Sequence, residues 1–459
     1  MDNSLRPYQK KAVEDIEKSW NSGNQRVIFQ CPTGSGKTRV LRTIIDDLHD
    51  RKKVVYAVAH RGNLIRQLSE ELAGADIRHG IIKAGCPQLR YRTQVCSVQT
   101  LIRRLDTLDE PELIIIDESH HSSSSTYQTI LNHWPSARVL GVTATPRRMS
   151  GKPLGDTFDD LIIGPAMRFL IDSGFLSDFD YLAPDTVSME GVGQRNGDFI
   201  EAESLARVDN RAVIGSAVDH YRQHSDHLPA IAACVSIDHA IHVAKEFCDA
   251  GYRFRAVHSR MSEDEIYRSI RELGDGTIDG LTNCDLIGEG TDIPVVTTLI
   301  GLRPTASETI HLQYCGRVLR RCAGKDRAII LDHVGNYTRH GFPDDPREWS
   351  LDDVGAKIPD NSKYKTCPNC YHANVPISAR ECPFCGFLMK ETRDPGMRIP
   401  EQRDGVLVDV RGQRKQEIIL KIARKARSLR EAVLVAAADG VAEPEAEYIW
   451  NVVLRNKTA

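Results

Sequence analysis

Apolar positions along this chain form short continuous runs, separated by stretches in which they recur every three or four residues. The runs Val27–Phe29, Val54–Ala59, Gln94–Val98, Leu113–Ile116 and Val139–Val142 read as strands buried on both faces. Thr38–Leu48, Asn63–Leu72 and Thr126–Trp134 carry helical periodicity between some of them. Such alternation predicts a doubly wound parallel sheet with its ligands outside the carboxyl ends of the strands. A second series starts near Arg211, with strands at Ile231–Val235, Arg253–Val257, Leu281–Leu286, Thr297–Leu302 and Ala328–Leu331. Its helices are expected at Asp238–Ala250, Glu263–Leu273 and Glu308–Arg320. Two tandem α/β domains follow, over 1–183 and 211–345. The Gly-containing stretch between them, 184–210, fits neither pattern and reads as a linker or inserted loop.

Past Pro343-Asp344-Asp345-Pro346 the alternation stops. A small Cys-rich unit is expected over 363–390, followed by a polar stretch with Pro and Gly. A basic helical tail over 411–459 is marked by Ile418, Ile422, Ala426, Leu429 and Val433 at helical spacing.

The first chemistry lies between strand Val27–Phe29 and the helix after it, in Gln30-Cys31-Pro32-Thr33-Gly34-Ser35-Gly36-Lys37-Thr38. Glycines let backbone N–H groups close around phosphates, and the helix N-terminus directs its positive end at the same anion. Thr33, Gly34, Ser35 and Gly36 would cradle ATP, Lys37 would reach the β- and γ-phosphates, and Thr38 would ligate Mg2+. Cys31 stands where the general pattern has its first glycine. A strand–turn–helix of this kind without phosphate is the bland alternative. A second element argues against it: Leu113–His121 ends a buried strand in Asp117-Glu118-Ser119-His120. Asp117 is placed to hold the metal and Glu118 to orient or deprotonate the attacking water.

These elements resemble superfamily 2 helicases, DEAD/DEAH-box type, with Asp117-Glu118-Ser119-His120 as the family box. The likeness runs in order across most of the first 335 residues. It implies two RecA-like domains, with Leu5-Arg6-Pro7-Tyr8-Gln9 as the adenine-recognition element and Gln9 on the base edge. Ala59–Gln67 and Ser97–Leu101 lie where the family contacts nucleic-acid backbone, which implicates Arg61, Ser97 and Thr100. Thr143-Ala144-Thr145-Pro146 resembles the element coupling hydrolysis to movement, with His120, Thr143 and Thr145 in coupling roles. Gly288–Pro294 resembles the fifth motif, placing Gly290 and Asp292 at the nucleotide. Gln313–Arg320 resembles the sixth, making Arg317 and Arg320 arginine fingers from the second domain. A helical Arg is more often just paired to a surface carboxylate, so it is the ordered set that carries the expectation. The Ile330–Asn336 stretch followed by a Cys-rich unit resembles the bacterial RadD-like branch and related phage helicases. That implies DNA, single-stranded or forked, over RNA.

Cys367-x-x-Cys370 and Cys382-x-x-Cys385, eleven residues apart, have the spacing of a structural zinc site with four thiolate ligands. The competing reading is a pair of disulfides, which a reducing compartment disfavours. The tail segment Arg411–Arg430 is strongly basic, consistent with phosphate contact or with a solvated helix face. The zinc unit and the tail are also candidate protein-docking elements.

Composition adds limits. Net charge of −3 leaves no global basic footprint, so nucleic-acid binding would need local patches. No apolar run approaches the ~18 residues that span a bilayer, and the N-terminus lacks a signal-peptide layout. The expectation is a cytoplasmic protein without a membrane partner, bacterial or made by a phage in its host. The expected function is ATP-dependent DNA helicase or translocase. A duplex translocase that remodels bound proteins, a restriction-system motor subunit and a non-catalytic nucleic-acid adaptor stay open beside it.

Overall fold

Alternate residues of the first strand series point to opposite faces, and both sets are apolar. In the computed structural model this places a sheet between two helical layers. Its strands are β1 (Arg26–Gln30), β2 (Val55–Ala59), β3 (His79–Ile82), β4 (Thr93–Ser97), β5 (Leu113–Asp117), β6 (Arg138–Thr143) and β7 (Asp160–Ile163). They run parallel in the order β3-β4-β2-β5-β6-β1-β7. Val27, Phe29, Val55, Ala57, Leu113 and Ile115 meet α1 (Pro7–Asn21), α2 (Lys37–Asp50) and α3 (Gly62–Ala73). Their neighbours Ile28, Tyr56, Val58, Ile114 and Ile116 meet α4 (Val98–Leu101) and α5 (Ser125–His133). The period of two thus sorts one strand sequence into two cores.

The chain then enters a second sheet. It comprises α6 (Met167–Asp172), β8 (Asp178–Ala183), the hairpin β9 (Gln194–Arg195) and β10 (Asp198–Phe199), α7 (Glu201–Val208), α8 (Arg211–Ser225), β11 (Ala230–Ala233), α9 (Ile237–Asp249), β12 (Phe254–Val257), α10 (Glu263–Gly274), β13 (Gly280–Asn283), β14 (Thr298–Gly301), α11 (Glu308–Val318), β15 (Arg327–Asp332) and α12 (Asn336–His340). Six strands pair in parallel in the order β12-β13-β11-β14-β15-β8, and Val408–Asp409 adds an antiparallel edge to β8. The hairpin forms a separate two-stranded sheet.

The structure describes residues 5–87, 89–148, 154–183, 187–286 and 293–352, and the short pieces 364–365, 375–376, 380–381, 408–409, 428–437 and 450. Cys367, Cys370, Cys382 and Cys385, most of the basic tail, and Gly290 and Asp292 lie outside these residues.

Two boundaries differ from expectation. The first domain was expected to run to residue 183, but β8 is hydrogen-bonded to β15 and belongs to the second sheet. Its Asp-Phe-Asp-Tyr alternation buries Phe179 and Tyr181 in the second core, each contributing about 2 kcal/mol there. The 184–210 stretch is not a bare loop. Within it lie the hairpin β9–β10 and α7, and Asp198 anchors the hairpin to the second domain. Asp198 pairs with Arg303 at 3.0 Å and accepts from Thr305 Oγ1 at 2.8 Å and the Ala306 N–H at 2.7 Å. Strands β3 and β7, both at edges and only partly buried, were not among the expected strands; β3 has only Ile81-Ile82 as an apolar pair, and the short Leu161–Ile163 run of β7 was passed over. Among the described residues, no helix is long and apolar enough to cross a membrane.

Candidate nucleotide and nucleic-acid site

β1, β5 and β6 end side by side, so the segments that follow them converge on one edge of the first sheet. The turn after β1 carries Gly34 and Gly36, both with φ of +83°, a left-handed backbone that side chains disfavour. Space forbids a Cβ there as well. One on Gly36 would lie 2.6 Å from Gln9 Nε2, and one on Gly34 would lie 2.9 Å from Leu176 Cδ2. Cys31 is different. It continues the strand pairing by donating its N–H to Thr143 O at 3.0 Å, and it is not among the left-handed residues. Its thiol is buried, which pushes its pKa up to about 11, and its Sγ packs against Gly164. Cysteine fits because this position needs no positive φ, and its thiol stays protonated and unreactive.

Lys37 opens α2, and its Nζ donates to Cys31 O at 3.0 Å, which holds the ammonium over the turn. Thr33 and Ser35 are buried within the turn, and Thr38 lies in the first turn of α2. Gln9 reaches the same turn from α1. Its Nε2 donates to Ser35 O at 3.2 Å and Gly36 O at 3.3 Å, while its Oε1 accepts from the Arg6 N–H at 3.0 Å. Tyr8 adds a hydroxyl donated to Ser35 O at 2.5 Å. Gln9 therefore braces the phosphate turn.

Asp117 ends β5 and accepts the Glu118 N–H at 3.0 Å. Burial pushes the Asp117 carboxyl up, to about 6, and the adjacent Glu118 carboxylate adds to this while Lys37 opposes it. Two carboxylates crowded in one buried place are a donor set that a divalent cation would relieve. Glu118 itself is buried and held at φ +52°, a left-handed conformation uncommon for Glu. From there a polar chain runs outward. His120 Nδ1 lies 3.4 Å from Glu118 Oε2 and 3.4 Å from Thr143 Oγ1. Thr143 Oγ1 donates to Thr145 O at 3.0 Å, and Thr145 Oγ1 donates to Thr309 Oγ1 of α11 at 3.0 Å.

That last bond crosses to the second domain, and α11 closes over the site along its length. Gln313 Nε2 lies 3.5 Å from Glu118 Oε2. The Gly316 backbone packs on Thr33 so closely that a Cβ would sit 2.5 Å from Thr33 Cβ. The Arg320 stem, with Leu176, lies against Gly34. Arg317 is buried on the same helix. The structure thus brings Lys37, Asp117, Glu118 and the Arg320 stem to one turn, with Arg317 buried on α11 next to Gly316. Arg61 follows β2 and donates to Asp285 O of the second domain at 2.5 Å, while Ser97 ends β4 and donates to Gln99 Oε1 at 2.7 Å. Thr100 lies in α4 beyond it, so these three occupy the same sheet edge, away from the phosphate turn. Thr309 and Leu176 were not found in the sequence. Gln313 sat inside the recognised motif without an assigned task.

Known proteins resemble both domains. A family model described as "Type III restriction enzyme, res subunit" matches residues 2–148, and one described as "Helicase conserved C-terminal domain" matches 216–322. A "51.5 kDa protein" of a Lactococcus phage (isolate 7-9) is 32% identical over 373 residues, covering 80% of this chain and 79% of that protein. The "Putative ATP-dependent helicase IRC3" of Saccharomyces cerevisiae is 28% identical over 72% of this chain, which spans only 51% of the yeast protein. The solved fragment of a putative HsdR subunit of a type I restriction enzyme from Vibrio vulnificus shares the fold at a TM-score of 0.60. It is 19% identical, over 74% of this chain and 68% of that one.

Proposed function

This chain belongs to the superfamily 2 helicases, and we propose that within that family it is a DNA motor whose ATP site is completed by the second domain. It is an ATP-dependent DNA helicase or translocase, or the motor subunit of a restriction system. The observation that carries the finer reading is the seating of α11 on the phosphate turn, with Gly316 against Thr33 and Arg320 against Gly34.

On this reading Gly34, Gly36 and the N-terminus of α2 receive the phosphates, and Lys37 neutralises their charge. Thr38 and Asp117 would hold Mg2+, which supplies further charge neutralisation when bound. Glu118 accepts a proton from, or orients, the attacking water. Arg317 and Arg320 arrive from the other domain, so hydrolysis depends on closure. The His120–Thr143–Thr145–Thr309 chain reports the state of Glu118 to α11, and Arg61, Ser97 and Thr100 hold the nucleic-acid backbone. Single-stranded or forked DNA is the preferred track. A cytoplasmic setting, in a bacterium or a phage-infected host, fits the match to a phage protein.

The decisive measurement is ATP turnover with single-stranded, forked and duplex DNA and with RNA, on the full chain and on Glu118→Gln. Stimulation should be greatest with single-stranded or forked DNA, and Glu118→Gln should lower turnover by about 10²–10⁴-fold while keeping nucleotide binding. Unchanged turnover in Glu118→Gln would reduce the nucleotide site to a conformational switch. The restriction-type family match over 2–148 favours a second reading, duplex translocation without strand separation. Triplex displacement without strand displacement selects it.

The four-cysteine unit is included in the proposal as a structural zinc site. The described pieces on either side of the first Cys pair, Tyr364–Lys365 and Val375–Pro376, pair antiparallel, which supports this reading. Metal analysis of the purified chain should find about one zinc, lost in Cys382→Ser.

A further inference from the structure

The end of α11 that carries the two arginines is held by an unusual arrangement. Helix C-termini leave carbonyl groups without intrahelical donors. Here the side chain of Lys325 folds back beneath that end, and its Nζ donates to Val318 O at 2.5 Å, Arg320 O at 2.8 Å and Val296 O at 2.6 Å. Two of these carbonyls belong to the exit of α11, and the third leads into β14. Lys325 is only 8% exposed, and no carboxylate lies within ion-pair distance of it among the described residues. Three carbonyls therefore take up all three N–H groups of one buried ammonium.

The same turn is gripped from the other side. Leu176 and Arg320 form an antiparallel bridge, and the Ser177 N–H donates to Leu319 O at 2.8 Å. Leu176 is also the residue whose Cδ2 faces Gly34. So the Arg320 backbone is fixed between the chain leading into β8 and the Lys325 ammonium, and its side chain is aimed at the phosphate turn. A buried charge without an anion is a costly way merely to fill space. It is an effective way to hold a helix end whose direction matters, because it matches both the free carbonyls and the negative end of the helix dipole.

We propose that Lys325 is a positioning residue for ATP hydrolysis: its ammonium clamps the exit of α11 so that Arg317 and Arg320 meet the γ-phosphate. This rests on the arginine-finger reading above. The clamp requires the charged form, because a neutral amine has two N–H donors for three carbonyls. Burial brings the Lys325 pKa down to about 8, with Cys322 nearby raising it and Arg320 lowering it. Among the described residues the segments of Val296 and Ser177 bring to this point carbonyls, an amide and a hydroxyl, and Asp178, which follows Ser177, pairs with Arg168 and Arg327.

The test compares DNA-stimulated ATPase in the full chain, Lys325→Met, Lys325→Arg and Arg320→Ala. Lys325→Met should lower kcat about 10- to 100-fold, as expected for a displacement near 1 Å, with KM for ATP changed less than about threefold. Adding Arg320→Ala to it should cost little more. In the unaltered chain kcat should fall as pH rises through about 8, while the thermal transition persists. Lys325→Arg should abolish that alkaline limb, because guanidinium stays charged there. A folded Lys325→Met with kcat within twofold of the unaltered chain overturns the proposal. If that variant does not fold, a flat profile from pH 7 to 9.5 in the unaltered chain overturns it. The underlying reading fails separately, through an Arg320→Ala variant that keeps full turnover.

Discussion

Gly316 offers a test in which stability and activity should move in opposite directions. It lies within α11, where replacing glycine by alanine ordinarily stabilises a helix by about 1 kcal/mol. The closed structure opposes that gain. A Cβ on Gly316 would stand 2.5 Å from Thr33 Cβ, 3.0 Å from its Cγ2 and 3.2 Å from its Oγ1, where ordinary contact begins near 3.4 Å. The shortfall is about 1 Å between atoms fixed to two backbones, so rotation of a side chain cannot relieve it. Closure can then occur only with α11 displaced by about that distance. A misplacement of ~1 Å at a reacting centre costs about 10²-fold in rate, or ~2.7 kcal/mol of barrier. Gly316→Ala should therefore lower DNA-stimulated kcat by roughly 10²-fold. Its thermal midpoint should be unchanged or raised by about 2–4 °C, since the contact is between domains and the propensity gain is within one. Turnover assays with a melting curve on the same preparation read both signs. Normal turnover in a well-folded Gly316→Ala would show that hydrolysis does not need this approach of α11 to the turn.

Two further predictions concern other parts of the molecule. Thr145→Val keeps the shape but removes the hydroxyl that reaches Thr309, so stability should fall by only about 1 kcal/mol. Its DNA-stimulated ATPase should persist while displacement per ATP drops, and a proportional loss of both would contradict a coupling role. Burial holds His333 down to about 3, with His220 adding to it, and burial also holds His340 and His239 down to about 4. Their folded values lie below the unfolded value of ~6.5, so below that pH the unfolded chain binds more protons. Stability is then complete above ~6.5 and falls with acid, by up to about 1.4 kcal/mol per pH unit for each such imidazole. Urea midpoints between pH 7.5 and 5 should show this, with a shallower slope in His333→Phe; equal slopes would remove His333 from the account.

What was legible in the sequence was whatever depended on one strand and its turn. Val27–Phe29 followed by Gly34, Gly36 and Lys37 announces a phosphate turn because the φ values, the close backbone approach and the helix start are all local requirements. The Asp117-Glu118 pair was legible for the same reason. Strand β8 was not, because nothing local in Asp-Phe-Asp-Tyr says which of two sheets it will join. That choice is made by β15, well over a hundred residues later, whose backbone β8 pairs with in parallel. Lys325 was hidden in a different way. Its role is set by three carbonyls, and backbone acceptors leave no mark on composition or spacing.

The sixth motif shows how far spacing alone can be taken once its physical origin is clear. Thr309, Gln313, Gly316, Arg317 and Arg320 follow one another at intervals of three or four, or of one within the pair at 316–317. That is the spacing of one face of a helix. In the structure Thr309, Gln313 and Gly316 meet Thr145, Glu118 and Thr33 of the first domain in turn, and the Arg320 stem meets Gly34. Cys315, Val318 and Leu319, turned the other way, are buried in the second core. A helix exposing such a polar face would be read as solvated if it stood alone. Here both faces are buried, so nearly every position from Thr309 to Val318 is withdrawn from water. The polar face is therefore matched to a partner surface, and the surface it matches is the phosphate turn and the carboxylate beside it. Separating the two domains would expose Thr309 and Gln313 together, since both are buried with their polar atoms on the first domain, so their exposure is tied to one and the same movement of α11.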